Sequence, residues 1–295
     1  MDSYNKETIF HLPGLFRFFN GYIALFQLIT HNPNILKAKV KIGSVYGAPC
    51  CIWNGGRTVA TYFDKGQCET IKNAMFNYNI PARFTFTNCL LEENHVHDTY
   101  CNMLLDMFNT GTNEVICNTE VLENYIRNKF GNRYKYISST TKRLIEQEDQ
   151  IKEIDKDYYL IVLDYNHNKD LNFLQSIPNK EKCEILCNAV CKPNCPVRLK
   201  HYQDISKAQL ENDWRYLYHC DDGIKWFWQV KKENESFISI EDINNTYLPM
   251  GFSNFKLEGR TANSMDWVEI ILYYLIKEEY KEEIRAELQV AVWNC

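Results

Sequence analysis

The sequence lacks most of the short motifs that identify a catalytic or cofactor-binding class. No G-x-G-x-x-G turn follows a strand-like segment, which disfavours a dinucleotide-binding domain. The H-E-x-x-H, Walker and G-x-S-x-G patterns are also missing, so zinc peptidases, phosphate-loop enzymes and serine hydrolases gain no support. None of the twelve cysteines forms a C-x-x-C pair, and a zinc ribbon therefore fits poorly.

The chain also has no long apolar run and no large excess of charge. Ile9–Ile29 is interrupted by Pro13, Arg17 and Asn20, so we do not expect it to span a membrane. Met1–Glu7 is polar, unlike a secretory signal. The net charge of −5 argues against a broad nucleic-acid surface but allows a local basic groove. We expect a cytoplasmic protein with no membrane partner, whose cysteines are reduced thiols or metal ligands.

What the sequence does contain is a repeated alternation of strand-like and helical segments. The clearest strands are ARFTFT (Ala82–Thr87) and YYLIVLD (Tyr158–Asp164). Such alternation predicts parallel strands joined by crossovers, in a barrel or in an open doubly wound sheet. We predict an α/β fold, a single (β/α) TIM-like barrel domain over residues 1–295. An aromatic N-terminal cap over Thr8–Leu36 and a long C-terminal helix over Asp266–Val292 would complete it.

Polar residues stand where the predicted strands end. In a parallel barrel these ends share one face, where active sites are built. Each residue alone also suits the cap of the following helix. Their recurrence along the chain predicts a polar pocket, with Asp164 as a catalytic residue and Asn54, Asn88 and Asn118 as substrate-binding residues. The strand-end residues are Ser44, Tyr46, Thr87, Asn88, Asn118, Thr119, Ser138, Ser139, Thr140, Asp164, Asn166 and Asn188.

The segment CEILCNAVCKPNCPVRLKHY carries four cysteines at intervals of four residues. Cys183 and Cys187 fall in phase along a strand, a pattern that inward packing alone would explain. Cys191 and Cys195 flank a Lys-Pro-Asn turn, which brings two thiolates near one point, as a metal requires. Basic neighbours would help these thiols to ionise, and a metal binds the thiolate form.

A metal centre on this segment needs further ligands. Cys220, in a turn beyond it, is the best distant thiol, and the fourth ligand is Cys187 or His201. A C-x-x-x-C pair with a remote partner suits an iron–sulfur centre, which usually takes four cysteines. The segment 183–220 therefore predicts a metal site, and a structural thiol cluster or a labile disulfide are the alternatives.

Two further segments are candidates for binding an anionic group. In GFSNFKLEGR, Lys256, Glu258 and Arg260 alternate with apolar residues, and a core would hold such charges only if they are paired or bind something. Arg260 offers bidentate contact to a carboxylate, and a network closing the barrel rim is the alternative. In WNGGR, two glycines allow a close backbone approach and Arg57 offers a charge, whereas a tight turn with a surface arginine would look the same.

The phrase FKLEGR, followed by Trp267–Tyr274 and a long helix, resembles peptidase family U32, the collagenase-like peptidases. That family carries a phrase close to FKIEGR before a terminal helix of its barrel, and its cysteines after a middle strand hold a 4Fe-4S cluster. Cys187, Cys191, Cys195 and Cys220 lie in the corresponding order here. The spacing departs from the family pattern, which has a longer stretch containing glycine and serine between the first cysteines. The resemblance covers the second half of the chain, and the first half only by its strand–helix rhythm.

This resemblance implies an iron–sulfur barrel enzyme. Members of the family act in oxygen-independent hydroxylation of RNA bases or quinone precursors, although older peptidase names persist. We therefore expect a 4Fe-4S cluster, an RNA or small-molecule substrate, and a partner subunit or electron donor. Lys256, Glu258 and Arg260 would act with Asp164 as catalytic residues. A peptidase, or a non-enzymatic binding module with structural cysteines, are the alternatives.

Overall fold

A closed barrel of parallel strands forms the centre of the molecule. The computed structural model describes residues 6–55, 61–216, 226–259 and 263–293. Within them, strands pair in chain order and β1 closes the barrel against β8. The strands are β1 (Thr8–Pro13), β2 (Val40–Gly47), β3 (Ala82–Phe86), β4 (Glu114–Cys117), β5 (Lys135–Ser138), β6 (Leu160–Val162), β7 (Cys183–Leu186) and β8 (Asn254–Lys256). The α/β barrel predicted from the sequence is confirmed.

Helices fill the connections between strands. They are α1 (Phe19–His31), α2 (Lys65–Asn77), α3 (Thr99–Met107), α4 (Glu120–Phe130), α5 (Gln147–Ile154), α6 (Leu171–Ser176), α7 (Arg198–Glu211), α8 (Phe227–Glu233), α9 (Ile240–Asp242), α10 (Leu248–Met250), α11 (Ser264–Leu275) and α12 (Lys281–Val292). A π-helical turn, Ile243–Tyr247, joins α9 to α10. Side chains cap the N-terminal ends of several helices. At α2, for example, Asp64 and Gln67 form a reciprocal capping box.

Strand residues alternate between the barrel interior and the surrounding helix layer. In β3, Phe84 and Phe86 belong to the main apolar core, while Arg83 reaches carboxylates on other strands inside the barrel. Successive side chains of a strand point to opposite faces, so the pattern ARFTFT sets this arrangement directly. Both sets are buried, because the interior of a small barrel is filled by side chains.

The opening segment differs from the predicted cap, because it supplies the first strand and helix of the barrel. Thr8–Pro13 pairs with β2 and β8 and so closes the sheet. The aromatic residues that follow this strand belong to the core. Phe18 stacks on Trp267 of α11 with ring centres 5.2 Å apart, and Tyr22 packs edge-on against the same indole at 5.1 Å. The aromatic density therefore reflects packing between α1 and α11.

The long C-terminal helix predicted over Asp266–Val292 is two helices, α11 and α12. Between them Ile276 is extended and bridges to Leu36, and the backbone N–H of Lys277 donates to Ile35. The Lys37 ammonium donates to the last carbonyls of α11, including that of Tyr273 at 2.7 Å. These contacts give hydrogen-bond donors to the backbone carbonyls at the C-terminal end of α11.

Candidate functional site

A buried ionic network fills part of the barrel interior. Arg83, from β3, donates through Nε to Glu114 of β4 at 2.5 Å and through Nη1 to both carboxylate oxygens of Glu184 of β7, at 2.9 and 2.6 Å. All three side chains are buried. Burial opposes ionisation of Glu184, but the charges of Arg83 and Lys256 and the hydrogen bonds from Arg83 outweigh it and lower its pKa to about 2. The network therefore stays ionised at neutral pH.

His11, from β1, joins this network as a neutral imidazole. Its Nδ1 lies 2.8 Å from Arg83 Nη2 and 2.9 Å from Ser44 Oγ. A guanidinium can only donate, so Nδ1 accepts and the proton is on Nε2, which lies 3.2 Å from Asn254 Oδ1. Burial, and next the charge of Arg83, lower the pKa of His11 to about 4. The ring is thus a fixed polar contact at neutral pH.

The opposite wall of the barrel interior is apolar. Ile116, Ile137, Leu160 and Val162, on β4 to β6, form a separate buried cluster. The charged residues of the network lie on β3, β4, β7 and β8, and the neutral polar residues His11 and Ser44 lie on β1 and β2. The sequence alone did not predict that one side of the barrel interior is charged and the other apolar. The available signal was a single charged residue inside an otherwise apolar short strand, as in EVIC and CEIL.

A pocket opens above the network, at the carboxyl ends of the strands, with a cavity of about 100 Å³. Lys256, at the end of β8, connects the two levels. Its ammonium lies 3.7 Å from Glu184 Oε1 and 4.1 Å from the centre of the Tyr46 ring. The lining residues are Tyr46, Thr85, Thr87, Ile116, Ser139, Thr140, Thr141, Tyr165, Leu186, Cys191, Arg198, His201, Tyr202, Ile205, Lys256 and Glu258.

Helix α7 lies across this pocket and is fixed at its N-terminal end by Arg198. The guanidinium donates to both carboxylate oxygens of Asp164, at 2.9 and 2.8 Å, and to the carbonyl of Thr140 at 2.9 Å. Its Nε donates to the Tyr202 hydroxyl, and its plane lies 4.0 Å from the centre of the Tyr165 ring. These bonds fix the start of α7 to the ends of β5 and β6.

The later part of α7 is fixed to the other side of the barrel mouth. The Asn88 amide, after β3, donates to the backbone carbonyl of Ser206 at 3.0 Å, and the backbone N–H of Cys89 donates to the Ser206 hydroxyl at 3.0 Å. His201, Tyr202 and Ile205 lie between the two attachments and line the pocket. Helix α7 therefore forms a roof over the mouth.

The predicted polar residues divide into pocket-lining and supporting groups. Asp164 is engaged with Arg198 and caps the next turn, where its Oδ1 accepts from the Asn166 N–H at 3.0 Å. Asn54 and Asn88 are buried in the scaffold, and the Asn118 amide donates to Thr141 Oγ1 at 2.9 Å. None of these four lines the pocket itself.

Lys256 and Glu258 both line the pocket, as their alternation predicts, while Phe255 and Leu257 belong to the outer core. Glu258 is held by Asn188, whose side chain exchanges two hydrogen bonds with the Glu258 backbone, at 2.9 and 2.7 Å. Arg260 and Arg57 lie outside the described residues.

Gly55, the first of the two glycines after Trp53, allows a close approach within the protein itself, and Gly56 lies outside the described residues. A Cβ on Gly55 would lie 2.2 Å from the backbone N of Asn88 and 2.2 Å from the carbonyl oxygen of Thr87. The Asn88 N–H donates to the Trp53 carbonyl at 3.0 Å. Gly55 therefore lets this loop pack directly on the end of β3.

Of the predicted metal ligands, the structure describes Cys187, Cys191 and Cys195, and Cys187 lies apart from the other two. Cys191 lines the pocket, and burial, followed by the neighbouring Cys195 thiol, raises its pKa to about 11. Cys187 instead faces the outer core, with its thiol 3.7 Å from the Ile185 carbonyl. Cys220 lies outside the described residues. Across residues 6–55, 61–216, 226–259 and 263–293, no three His, Cys, Asp or Glu side chains are grouped so as to hold a metal ion.

Comparison with known proteins agrees with the barrel. No family model matches the chain. Over 136 residues it is 28% identical to an uncharacterised protease of Methanocaldococcus jannaschii, and the alignment covers 43% of this chain and 39% of that protein. The chain thus matches well under half the length of this relative.

In the described ranges, no helix has the length and apolar character needed to cross a membrane.

A solved structure shares nearly the whole fold. The structure of the U32 peptidase Mk0906 matches 88% of this chain and 96% of its own with a TM-score of 0.52, at 11% sequence identity. At this identity the match shows a shared fold: this chain has the closed barrel fold of a U32 peptidase, as the resemblance noted in its sequence implies.

Proposed function

We propose that this protein is an enzyme of the U32 type and that its active site is the pocket beneath α7. One observation carries the proposal: five of the eight strands, from Tyr46 of β2 to Lys256 of β8, place a residue at this pocket, and the turns after β5 and β6 add others. Active sites of (β/α) barrels are built on this face. Titratable groups with shifted pKa values also gather here, including Cys191 and Glu184 just below, as is typical of functional clefts.

The size of the pocket favours modification of a small group. Its cavity of about 100 Å³ is small beside the roughly 300–1,000 Å³ of pockets that enclose whole drug-sized ligands. A single ring or short side chain fits such a space, whereas a polypeptide would need an extended cleft. We therefore favour a small molecule, or one base of an RNA, as the substrate, and keep the peptidase as the alternative.

Within this proposal, Lys256 and Glu258 are the residues that contact the substrate. Both line the pocket on the β8 side, and the ammonium of Lys256 is held by Glu184 from below. Asp164 acts through Arg198 instead, because its two carboxylate oxygens are occupied by that guanidinium. It is a positioning residue that keeps α7 in place.

A 4Fe-4S cluster is not completed by the described residues. Two of its predicted ligands, Cys191 and Cys195, are neighbours at the mouth of the pocket, and Cys187 is apart from them in the outer core. A cluster here would need other ligands, such as Cys220, and an electron donor. The ten described cysteines are free thiols, which suits the reducing cytoplasm where we propose that the enzyme acts.

Replacing the pocket lysine tests the proposal. We would compare cells that make the wild-type protein, Lys256→Met or Lys152→Met, where Lys152 is an exposed control on α5. Mass spectrometry of RNA nucleosides and of small metabolites should show a product that is lost only with Lys256→Met. Purified proteins with matched thermal stability would be tested on gelatin in parallel. Gelatin cleavage dependent on Lys256, without any nucleoside or metabolite difference, would support the peptidase instead.

A further inference from the structure

Two hydroxyl groups at the pocket have no oxygen or nitrogen hydrogen-bond partner among the described residues, and the Cys191 thiol beside the Tyr165 hydroxyl is a weak partner. The two hydroxyls are Thr87 Oγ1, just after β3, and the Tyr165 hydroxyl, after β6. The two residues are buried, with only 4% and 2% of their surfaces exposed. A buried hydroxyl without a partner is costly, so native proteins satisfy nearly all of them. Two such hydroxyls lining one cavity are therefore groups that a bound ligand, or water in its place, would satisfy.

The scaffold holds both hydroxyls in fixed positions. The Tyr165 ring is covered by the Arg198 guanidinium, 4.0 Å from its centre, and Arg198 is itself held by Asp164. Thr87 lies where the loop at Gly55 packs on the end of β3. Groups fixed in this way lose little conformational freedom when a ligand binds. This rigidity suits selective recognition.

The charges at the pocket lie against charges of opposite sign. Arg198 is bonded to Asp164, and the Lys256 ammonium lies 3.7 Å from Glu184. Glu258 adds a further carboxylate to the lining. An anionic ligand entering this pocket would meet carboxylates beside each cation, and the Coulomb attraction would be reduced accordingly.

We infer that Thr87 and Tyr165 are the specificity-determining residues of this pocket, and that they recognise an uncharged ring through hydrogen bonds to its polar substituents. The inference rests on the proposed function, because it assigns the ligand class of the same site. The ring lies between Tyr46, Tyr165 and Tyr202, below the α7 roof. An uncharged ring with an amide or carbonyl group offers such hydroxyls hydrogen-bond acceptors and donors without a charge.

Benzamide and benzoate provide a matched pair of probes, since they differ chiefly in charge. We expect benzamide to bind the full-length protein at least tenfold more tightly than benzoate, as measured by ligand-observed NMR titration. Thr87→Val and Tyr165→Phe should each weaken benzamide binding about three- to tenfold, the usual effect of one lost hydrogen bond. Thr119→Val is the control, because Thr119 Oγ1 is also buried and unpartnered but lies outside the pocket lining.

A variant that fills the cavity separates the two levels of the proposal. Ile205→Trp places a larger side chain in the roof and should abolish benzamide binding. If it does so while Thr87→Val and Tyr165→Phe bind normally, the pocket stands and the hydroxyl assignment fails. If benzamide binds equally well to Ile205→Trp, the ring binds elsewhere and the proposed site fails as well. Stronger binding of benzoate, or no binding of benzamide, overturns the uncharged class.

Discussion

Arg198 and Asp164 form a buried ion pair in which one guanidinium nitrogen, Nη1, lies 2.9 and 2.8 Å from the two carboxylate oxygens, and this pair fixes the start of α7 to the end of β6. Only 3% of the Arg198 side chain and none of the Asp164 side chain is exposed. Removing one partner of a buried pair leaves the other charge uncompensated, which costs more than the pair itself contributes.

Asp164→Asn should therefore lower the free energy of unfolding by about 3 kcal/mol. Urea titration monitored by circular dichroism would measure the change. Asp213→Asn is the matched control: Asp213 also pairs with an arginine, Arg215, but that pair lies at the solvent-exposed end of α7 and should be nearly neutral. Equal losses in the two variants would contradict a special role for the Arg198–Asp164 pair.

His11 should make the protein less stable as the pH falls below 6.5. Its pKa in the folded protein is about 4, below the ordinary 6.5. Between these two pH values the imidazole is protonated in the unfolded chain but not in the folded protein. The contribution is complete above pH 6.5 and disappears as the pH falls towards 4, amounting to about 3 kcal/mol. The pKa values of Glu184 and Glu153 are near 2, so these residues change the pH dependence of stability only below about pH 4.5.

Urea titrations at several pH values between 7 and 4 would measure this dependence. His11→Gln should flatten the slope of stability against pH in that window, whatever its effect on stability at pH 7. His31→Gln, at an exposed position on α1, should leave the slope unchanged. Identical slopes for the wild type and His11→Gln would show that the buried imidazole does not control the acid sensitivity.

Cysteine replacements distinguish a cluster at the mouth of the pocket from thiols of the core. Protein purified without oxygen would be analysed for iron and acid-labile sulfide. Cys191→Ser should abolish the iron and the brown colour if a cluster is present, because a thiolate ligand is lost. Cys187→Ser should keep both, since its thiol faces the outer core. Loss of iron in Cys187→Ser, with its fold intact, would place Cys187 among the ligands after all.

Gly55 should tolerate no side chain. A Cβ at this position would lie 2.2 Å from backbone atoms of Thr87 and Asn88, so Gly55→Ala must push the loop away from β3. We expect a loss of about 1–3 kcal/mol, typical of overpacking. Gly66→Ala, in the first turn of α2 with its nearest atom 3.4 Å away, should be neutral or mildly stabilising. Thermal unfolding of the two variants side by side would decide the matter.

The sequence predicted the barrel because its strands carry a clear alternation and its crossovers have regular lengths. Lys256 and Glu258, whose alternation marked them in the sequence, lie at the end of β8 and just beyond it, and both line the pocket. The roles of single polar residues were less accessible. Asp164 ends a strand as a catalytic residue would, yet its partner Arg198 lies 34 residues away in sequence, in a helix that crosses the mouth.

Closure of the barrel explains the remaining differences. Glu184 of β7 meets Arg83 of β3, 101 residues apart, only because the barrel brings opposite strands together. The segment TIFHLP is short and is followed by many aromatic residues, so its sequence resembles a cap. It is a barrel strand because β8 pairs with it when the barrel closes. Cys187 follows the last residue of β7 in the outward phase, and the four-residue spacing of cysteines carried no information about that direction.

The central claim is that the active site is the pocket beneath α7, and two substitutions on that helix test it most directly. Ile205→Trp fills the pocket from its roof, while Leu199→Trp places the same side chain at an exposed position of α7. The product lost with Lys256→Met would be quantified by mass spectrometry for each variant. The account predicts that Leu199→Trp retains this product and Ile205→Trp loses at least 90% of it. Full product formation by a folded Ile205→Trp protein would contradict the account.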